Sequence, residues 1–164
     1  EKFHALIEEM KRAKKYIHVQ YYIIRNDEVW QDIEKVLIEK AHEGVEVRVL
    51  FDSMGCRTMH KRDWDRLKCE GIRVAEFFPA ILGQLQMRVN YRNHRKIVVI
   101  DGKVGFVGGF NVGREYIGKD EKFGYWRDTH LGIEGAAVTN FSWGFGLGLD
   151  FAAPQDLVFG SSSV

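Results

Sequence analysis

The stretch HRKIVVIDGKVGFVGGFN, residues 94–111, constrains the fold of this chain more than any other segment. Its continuous apolar run, residues 97–100, predicts a strand covered on both faces, because a strand with one wet face would alternate apolar and polar residues. The turn dipeptide Asp101-Gly102 follows this run, and a second apolar run returns at residues 104–107. The stretch therefore predicts an antiparallel hairpin whose first strand lies inside a covered sheet.

Helical and strand patterns alternate in the part of the chain that precedes this hairpin. The predicted helices cover residues 3–13, 30–41 and 62–70, and the predicted strands cover residues 17–24, 45–51, 72–77 and, after the hairpin, 129–133. Asn26 or Asp27 can cap the second helix, and Gly44 and Gly71 stand just past the ends of the second and third. This succession predicts an α/β fold with a mixed, largely parallel β-sheet flanked by helices.

The composition fits one globular domain of 164 residues, with 45% hydrophobic and 29% charged residues. We expect this domain to cover residues 1–135 and a C-terminal segment, residues 136–164, to form a helix and a Gly/Ser-rich tail. No apolar run approaches the roughly 18 residues that span a bilayer, so this segment is expected to be soluble. The chain begins at Glu1 without a signal peptide, which predicts a mature piece or an excised domain. Cys56 and Cys69 lack zinc-site spacing and are expected to be free thiols.

His94 and Lys96 are the candidate reacting pair. Residues two apart on a strand project to the same face, whereas the intervening Arg95 points away. A neutral imidazole is a good nucleophile near neutral pH, and a neighbouring ammonium offsets the charge of an anionic phosphodiester. For an isolated His-x-Lys pair, the alternative to a catalytic role is a polar strand edge on which both side chains are solvated.

The spacing His-x-Lys-x4-Asp-x6-Gly-Gly-x-Asn, from His94 to Asn111, resembles the HKD motif of the phospholipase D superfamily. Three flanking segments, IHVQYYIIRNDEV, NYRNHRKIVVIDGK and FGYWRDTHLGIEG, are similar to the first catalytic half of bacterial cardiolipin synthases. The similarity covers roughly residues 3–135, and it implies a phospholipase D-like catalytic domain that carries one HKD motif.

The resemblance assigns roles to three further polar residues. It implies that Asp101 supports the site without touching substrate, although Asp-Gly is also simply a hairpin turn. Asn111 can donate its amide hydrogens to a phosphate oxygen, and it can equally cap the next short helix. Asp128 is expected to accept a hydrogen bond from the catalytic imidazole, or to pair with Arg127 at the surface. His130 projects to the same strand face as Asp128 and is the weaker candidate for a site residue.

Arginines and glycines beside the motif are candidates for binding substrate. Arg88 and Arg92 can hold headgroup phosphates bidentately, or they can belong to a solvated basic loop. Gly108 and Gly109 leave room for the close approach of a ligand or of a packed neighbour. The apolar segment at residues 77–87 suits a substrate with acyl chains, or it is core strand and turn.

The resemblance implies phosphatidyl transfer between two phosphatidylglycerol molecules through a phosphohistidine on His94, without a metal or cofactor. The chemistry needs a second HKD half, either in the same parent chain or in a homodimer mate. We expect the parent to contact the cytoplasmic face of the bacterial cell membrane peripherally. A homodimeric nuclease and a non-catalytic half domain are the alternatives. The net charge of +1 argues against a nucleic-acid partner.

Overall fold

The computed structural model describes residues 2–77 and 93–152. The helices are α1 Lys2–Lys11, α2 Glu28–His42, α3 Lys61–Cys69 and α4 Val138–Ala152, and a short 3-10 helix covers Arg114–Ile117. The strands are β1 Tyr16–Tyr21, β2 Glu46–Asp52, β3 Arg73–Phe77, β4 Ile97–Ile100, β5 Val104–Gly108 and β6 His130–Glu134. The predicted helices and strands in this part of the chain are therefore confirmed, with boundaries that differ by a few residues.

The described strands form one sheet in the order β3-β2-β1-β4-β5-β6. Strands β1, β2 and β3 are parallel, whereas β4 pairs antiparallel with β1 and with β5, and β5 pairs antiparallel with β6. The α/β class and the mixed sheet are confirmed, but the parallel arrangement is limited to β1–β3. The reason is the short connection between β4 and β5, since only antiparallel strands can be joined by a tight turn.

Helix α2 begins and ends where its local residues predict. Asp27, rather than Asn26, caps α2, and its carboxylate accepts the backbone N–H groups of Val29 and Trp30 at 3.1 and 3.4 Å. Gly44 has a φ of +85° directly after the helix, a conformation that glycine adopts without strain.

The sheet separates two apolar layers. Ile17, Val19 and Tyr21 of β1 point into the larger core, which they share with residues of α1, α2 and α3. The alternate residues of β1 point toward α4, where His18 stacks on Phe145 at a ring distance of 4.5 Å. Because the sheet is covered on both faces, its chemistry has to lie at the ends of the strands.

The turn between β4 and β5 is the predicted Asp-Gly turn. Asp101 and Gly102 have positive φ values of 54° and 67°, and the N–H of Lys103 donates to the carbonyl of Ile100 at 3.0 Å. Ile100 pairs with Val104, so the loop contains one residue more than a two-residue hairpin. Among the helices of residues 2–77 and 93–152, none is long and apolar enough to cross a membrane.

Candidate active site

The candidate site lies where several strands meet at one edge of the sheet. Gln20, near the end of β1, pairs with Ile97, the first residue of β4. Residues that follow β1 therefore lie beside residues that precede β4, which are His94 and Lys96. The carboxyl ends of β2 and β5 reach the same edge, as is common for ligand sites in open α/β sheets.

Lys96 and His94 are in direct contact. The Nζ atom of Lys96 lies 2.7 Å from Nδ1 and 3.0 Å from Nε2 of His94, and it donates a hydrogen bond to the His94 carbonyl at 2.8 Å. Lys96 is buried with 3% of its surface exposed, whereas His94 is exposed. The ring of Tyr22 lies 4.7 Å from the imidazole ring. The arrangement presents an imidazole to solvent with an ammonium group buried behind it.

The surroundings keep the imidazole of His94 neutral. Burial lowers the pKa of His94, the positive charge of Lys96 lowers it further, and the negative charge of Asp52 opposes both effects. Burial also lowers the pKa of Lys96 to about 8, and Asp128 partly offsets that shift. At neutral pH the pair therefore consists of a neutral imidazole and a lysine that is mostly protonated.

The two glycines of the motif make room for β6. A Cβ atom on Gly109 would lie 2.1 to 2.3 Å from the carboxylate of Asp128, and one on Gly108 would lie 2.4 Å from Nδ1 of His130. The carboxylate of Asp128 accepts the N–H of Thr129 at 2.7 Å. Packed neighbours, one of the two alternatives considered above, thus fill the space beside both glycines.

Asp128 faces cations rather than the imidazole. Burial lowers the pKa of Lys96, Lys2 and His130, and the negative charge of Asp128 opposes that lowering at each of them. The expected hydrogen bond between Asp128 and His94 does not occur in the described part of the chain. The carboxylate reaches the imidazole only indirectly, through its effect on Lys96.

Lys2, at the start of α1, is a basic residue of this region that the sequence did not reveal. Its Nζ atom donates to the carbonyl of Phe110 at 3.3 Å and lies 4.7 Å from the centre of the Phe110 ring. Burial lowers the pKa of Lys2 to about 7, while Asp128 raises it and Lys96 lowers it. Burial likewise lowers the pKa of His130 to about 4, with a further lowering from Lys2.

Asn111 is buried and ties the motif to the end of β1. Its Oδ1 accepts the N–H of Ile23 at 3.0 Å, and its Nδ2 donates to the hydroxyl of Tyr116 at 3.2 Å. The alternative role as a helix cap is wrong, because Gly113 occupies the cap position of the short helix that follows. The second hydrogen of this amide group takes part in no hydrogen bond among the described residues, although the side chain is only 4% exposed.

Asp101 lies at the far end of β4 from His94. Its carboxylate accepts the backbone N–H groups of Lys14, Lys15 and Tyr16 at 2.8, 2.7 and 2.9 Å. Burial tends to raise the pKa of Asp101, but these three hydrogen bonds together lower it below its ordinary value. The residue anchors the α1–β1 connection to the hairpin.

The remaining predicted residues fall into two groups. Arg88, Arg92 and most of the apolar segment 77–87 lie outside the described residues. Arg95 points away from the site as predicted, and its Nη1 donates to the Gly144 carbonyl of α4 at 3.2 Å.

Within the described ranges no cluster of three or more His, Cys, Asp or Glu residues is arranged to hold a metal ion. Cys56 and Cys69 are free.

Sequence reasoning missed three neighbours of the pair, namely Tyr22, Asp52 and Lys2. Asp52 ends β2 and is 1% exposed, and its N-terminal neighbours form a predicted strand. A carboxylate at the carboxyl end of a parallel strand is a signal that could have identified it. Tyr22 and Lys2 carry no comparable local signal, because only the sheet order and the docking of α1 bring them to the site.

A single mixed sheet with a His-x-Lys pair at its edge and a Gly-Gly-x-Asn loop beside it defines a phospholipase D-like domain. The family described as "Cardiolipin synthase, PLD-like domain" matches residues 6–123. The chain therefore belongs to this family.

Two curated relatives agree with this assignment. The chain is 51% identical over 138 residues to the major cardiolipin synthase of Bacillus subtilis (strain 168), a match that covers 84% of this chain and 29% of that protein. It is 51% identical over 156 residues to the cardiolipin synthase of Staphylococcus aureus (strain N315), covering 95% of this chain and 32% of that protein. It thus spans about a third of the length of these relatives.

The fold is also found in Nuc of Salmonella typhimurium, a phospholipase D family member. The TM-score is 0.61 at 14% identity, and the match covers 90% of this chain and 86% of that chain. At this identity the likeness concerns the fold alone.

Proposed function

We propose that this domain supplies one half-site of a phosphatidyltransferase that makes cardiolipin. The observation that carries the proposal is the contact of 2.7 Å between Lys96 Nζ and His94 Nδ1 at an exposed edge of the sheet. A ring nitrogen of His94 attacks the phosphorus of the donor lipid. The bond from phosphorus to the leaving oxygen breaks, its electron pair stays on that oxygen, and a phosphohistidine forms.

Lys96 and Asp128 set the electrostatics of this step. The ammonium of Lys96 offsets the growing negative charge on the phosphoryl oxygens, and because it is buried its charge is weakly screened. Asp128 favours the protonated form of Lys96. Because Gly109 has no side chain, the carboxylate of Asp128 can lie directly beside it. The Cβ atom of any larger residue would overlap that carboxylate.

A second HKD histidine completes the cycle. It protonates the leaving alkoxide, and it later removes the proton of the acceptor alcohol, which attacks phosphorus and releases His94. The chain spans about a third of its relatives, which supports a parent chain that carries the second motif. A homodimer mate would serve the same purpose.

The names of the relatives give the product. Both relatives are cardiolipin synthases. As the resemblance described above implies, we assign phosphatidylglycerol as donor and as acceptor, with glycerol as the leaving group. Arg88, Arg92 and the free amide hydrogen of Asn111 are the proposed ligands of the lipid phosphate. In this proposal the nucleophile is histidine rather than a metal-bound hydroxide. We place the parent at the cytoplasmic face of the membrane, where it contacts lipid and does not bind nucleic acid.

A homodimeric phosphodiesterase acting on nucleic acid is the second candidate. The chain shares the fold of Nuc, and that match covers 86% of the Nuc chain. The identity of 51% to cardiolipin synthases against 14% to Nuc favours the lipid reaction.

The experiment compares both substrates in one preparation. His94→Ala, placed in a protein that supplies both HKD motifs, should reduce phosphatidyl transfer on phosphatidylglycerol vesicles by roughly 10³-fold or more while the fold persists. His42→Ala is the matched control, because His42 is exposed and pairs with Glu70 on the far side of the domain. Cleavage of DNA by a homodimer, with no lipid product, would replace this proposal by the nuclease.

A further inference from the structure

A loop between the short 3-10 helix and β6 exposes several large apolar side chains. Within it, Tyr125 is 87%, Phe123 48% and Trp126 38% exposed, and Ile117 just before it is 40% exposed. Two of these rings are packed, since Trp126 lies edge-on against the buried Tyr116 at 5.2 Å and Phe123 lies edge-on against Trp126 at 6.4 Å. Aromatic side chains that face solvent together mark an interaction surface.

Lysines are interleaved with these rings. Lys119 and Lys122 flank the loop, and Nζ of Lys122 lies 5.7 Å from the centre of the Phe123 ring. We call the six residues the aromatic–lysine surface: Ile117, Lys119, Lys122, Phe123, Tyr125 and Trp126. Such a mixture of rings and lysines suits the boundary between lipid headgroups and acyl chains.

A cavity of about 600 Å³ adjoins this surface on the side of α1. Its walls include Ile117, Lys119 and Tyr125 of the surface, and Lys2, His4 and Phe110 close the opposite side. The exposed cations beside the rings are Lys119 and Lys122, whereas Lys2, whose pKa burial lowers to about 7, lies in the cavity wall. The acids nearby are Glu121, Asp128 and Asp120, the last of which pairs with Arg114 at 3.7 Å. The two exposed lysines are the groups that would contact an anionic partner.

The surface continues directly into the candidate site. Trp126 and Arg127 lead to Asp128, whose carboxylate acts on Lys96. A partner that covers the aromatic–lysine surface therefore lies beside the segment that carries Asp128. The proposed substrate is itself an anionic phospholipid, so the partner that fits both the rings and the charge is the bilayer that contains it.

We propose that the aromatic–lysine surface docks this domain on a bilayer that contains anionic phospholipid, with the rings among the headgroups. The choice of a bilayer rather than a protein as the partner rests on the proposed function. The identification of the surface rests only on its exposed rings and lysines. Trp143 and Leu147 are also exposed, at 69% and 63%, but they stand one helical turn apart on α4, a helix that contains no lysine. They provide a matched control.

The test measures sedimentation of the chain with vesicles of phosphatidylcholine alone and of phosphatidylcholine mixed with phosphatidylglycerol. The chain should bind the mixed vesicles and bind the neutral ones much less. Tyr125→Ser with Trp126→Ser should weaken binding to mixed vesicles by on the order of tenfold, because two rings leave the interface. Lys119→Glu with Lys122→Glu should weaken it by a similar factor on mixed vesicles only. Trp143→Ser with Leu147→Ser should leave binding unchanged.

Two additional measurements keep the outcomes distinct. Circular dichroism melting checks that each variant is folded, and the lysine variants, whose side chains are exposed, remain informative where the Trp126 variant is destabilised. In a Trp143→Phe background, brominated lipid should quench the fluorescence of Trp126, because Trp30 and Trp64 are buried.

Absence of binding to mixed vesicles, or equal loss in the α4 control, would overturn the proposal. A change from dimer to monomer in the surface variants, seen by light scattering, would assign the surface to a second copy of the chain instead. Vesicle binding is measured without turnover. A negative result for the aromatic–lysine surface would therefore not bear on the proposed reaction. Conversely, an active His94→Ala protein would refute the reaction without affecting vesicle binding.

Discussion

The Nζ atom of Lys96 lies 2.7 Å from Nδ1 of His94, so any proton on the imidazole faces an ammonium group. Burial and this charge together lower the pKa of His94, which keeps the nucleophile neutral at physiological pH. The same ammonium is available to a phosphoryl group that approaches the imidazole. One contact therefore serves to prepare the nucleophile and to stabilise the transition state.

Lys96→Gln should raise the pKa of His94. The substitution removes a positive charge from the imidazole and keeps a side chain that is nearly as large, so protonation becomes easier. NMR titration of the histidine Cε1–H signals of the chain measures this pKa directly. Lys103→Gln, at an exposed position of the β4–β5 turn, is the control and should leave His94 unchanged. A pKa that stays the same or falls in the Lys96 variant would mean that this contact does not influence the imidazole.

The pH–rate profile of a protein with both motifs should have an alkaline limb near pH 8. The pKa of Lys96 is lowered to about 8, so the ammonium is present below this pH and is lost as the pH rises through it. Because the ammonium stabilises the transition state, kcat/KM should fall over that range. The acid limb should lie below pH 6.5, since the pKa of His94 is lowered from that value. A rate that is constant from pH 7 to 10 would contradict the role given to Lys96.

Gly109→Ala should disturb the site through Asp128. The new Cβ atom would overlap the carboxylate, which then has to move away from Lys96. We expect kcat/KM to fall by on the order of 10²-fold, as for other small displacements of catalytic groups, and the alkaline limb to shift to lower pH. Gly146→Ala in α4 is the matched control, because its Cβ would meet no atom within 4 Å. This control should retain activity and gain up to about 1 kcal/mol of stability, since alanine favours the helix. Normal activity of a folded Gly109→Ala protein would show that the position of Asp128 is unimportant.

Asp101→Ala should destabilise the fold by about 2 kcal/mol, because three backbone N–H groups lose a charged acceptor. The pKa of Asp101 is lowered in the folded chain, so its stabilisation is present above the unfolded pKa and is lost as the pH falls through the folded pKa. The stability difference between wild type and variant should therefore be full at pH 7 and should shrink below about pH 4. Denaturant unfolding at several pH values measures it. Asp65→Ala, which removes only an exposed ion pair with Lys61, should change stability by less than about 1 kcal/mol. An equal effect of the two substitutions would refute the anchoring role of Asp101.

The local parts of the site could be predicted from the sequence. The hairpin, its turn and the shared side of His94 and Lys96 depend on residues close together in the chain, where strand alternation and turn chemistry apply. The outward direction of Arg95 follows from the same alternation. These features required no knowledge of how distant segments pack.

The distant partners could not be predicted. Two polar atoms of the Asn111 side chain form hydrogen bonds with Ile23 and Tyr116. The first of these bonds joins residues that are 88 positions apart in the chain. The approach of Asp128 to Gly109 depends on the pairing of β6 with β5, and Lys2 reaches the site only because α1 docks under the sheet. For the same reason the sequence predicted a larger share of parallel strands than the sheet contains. The antiparallel pairing of β4 with β1 depends on how distant segments pack, and local residues do not determine it.

The central claim is that His94 is the covalent nucleophile of this half-site. A phosphatidyl ester of p-nitrophenol tests it most directly, because nitrophenolate is a stable leaving group that needs no proton from a second histidine. A chain that lacks its partner motif should release one nitrophenolate per molecule in a burst and then stall. Mass spectrometry of the alkaline-handled protein should find the phosphatidyl group on His94. His94→Ala should show neither burst nor adduct, and His42→Ala should show both. A burst that survives in His94→Ala, or an adduct on another residue, would contradict the account.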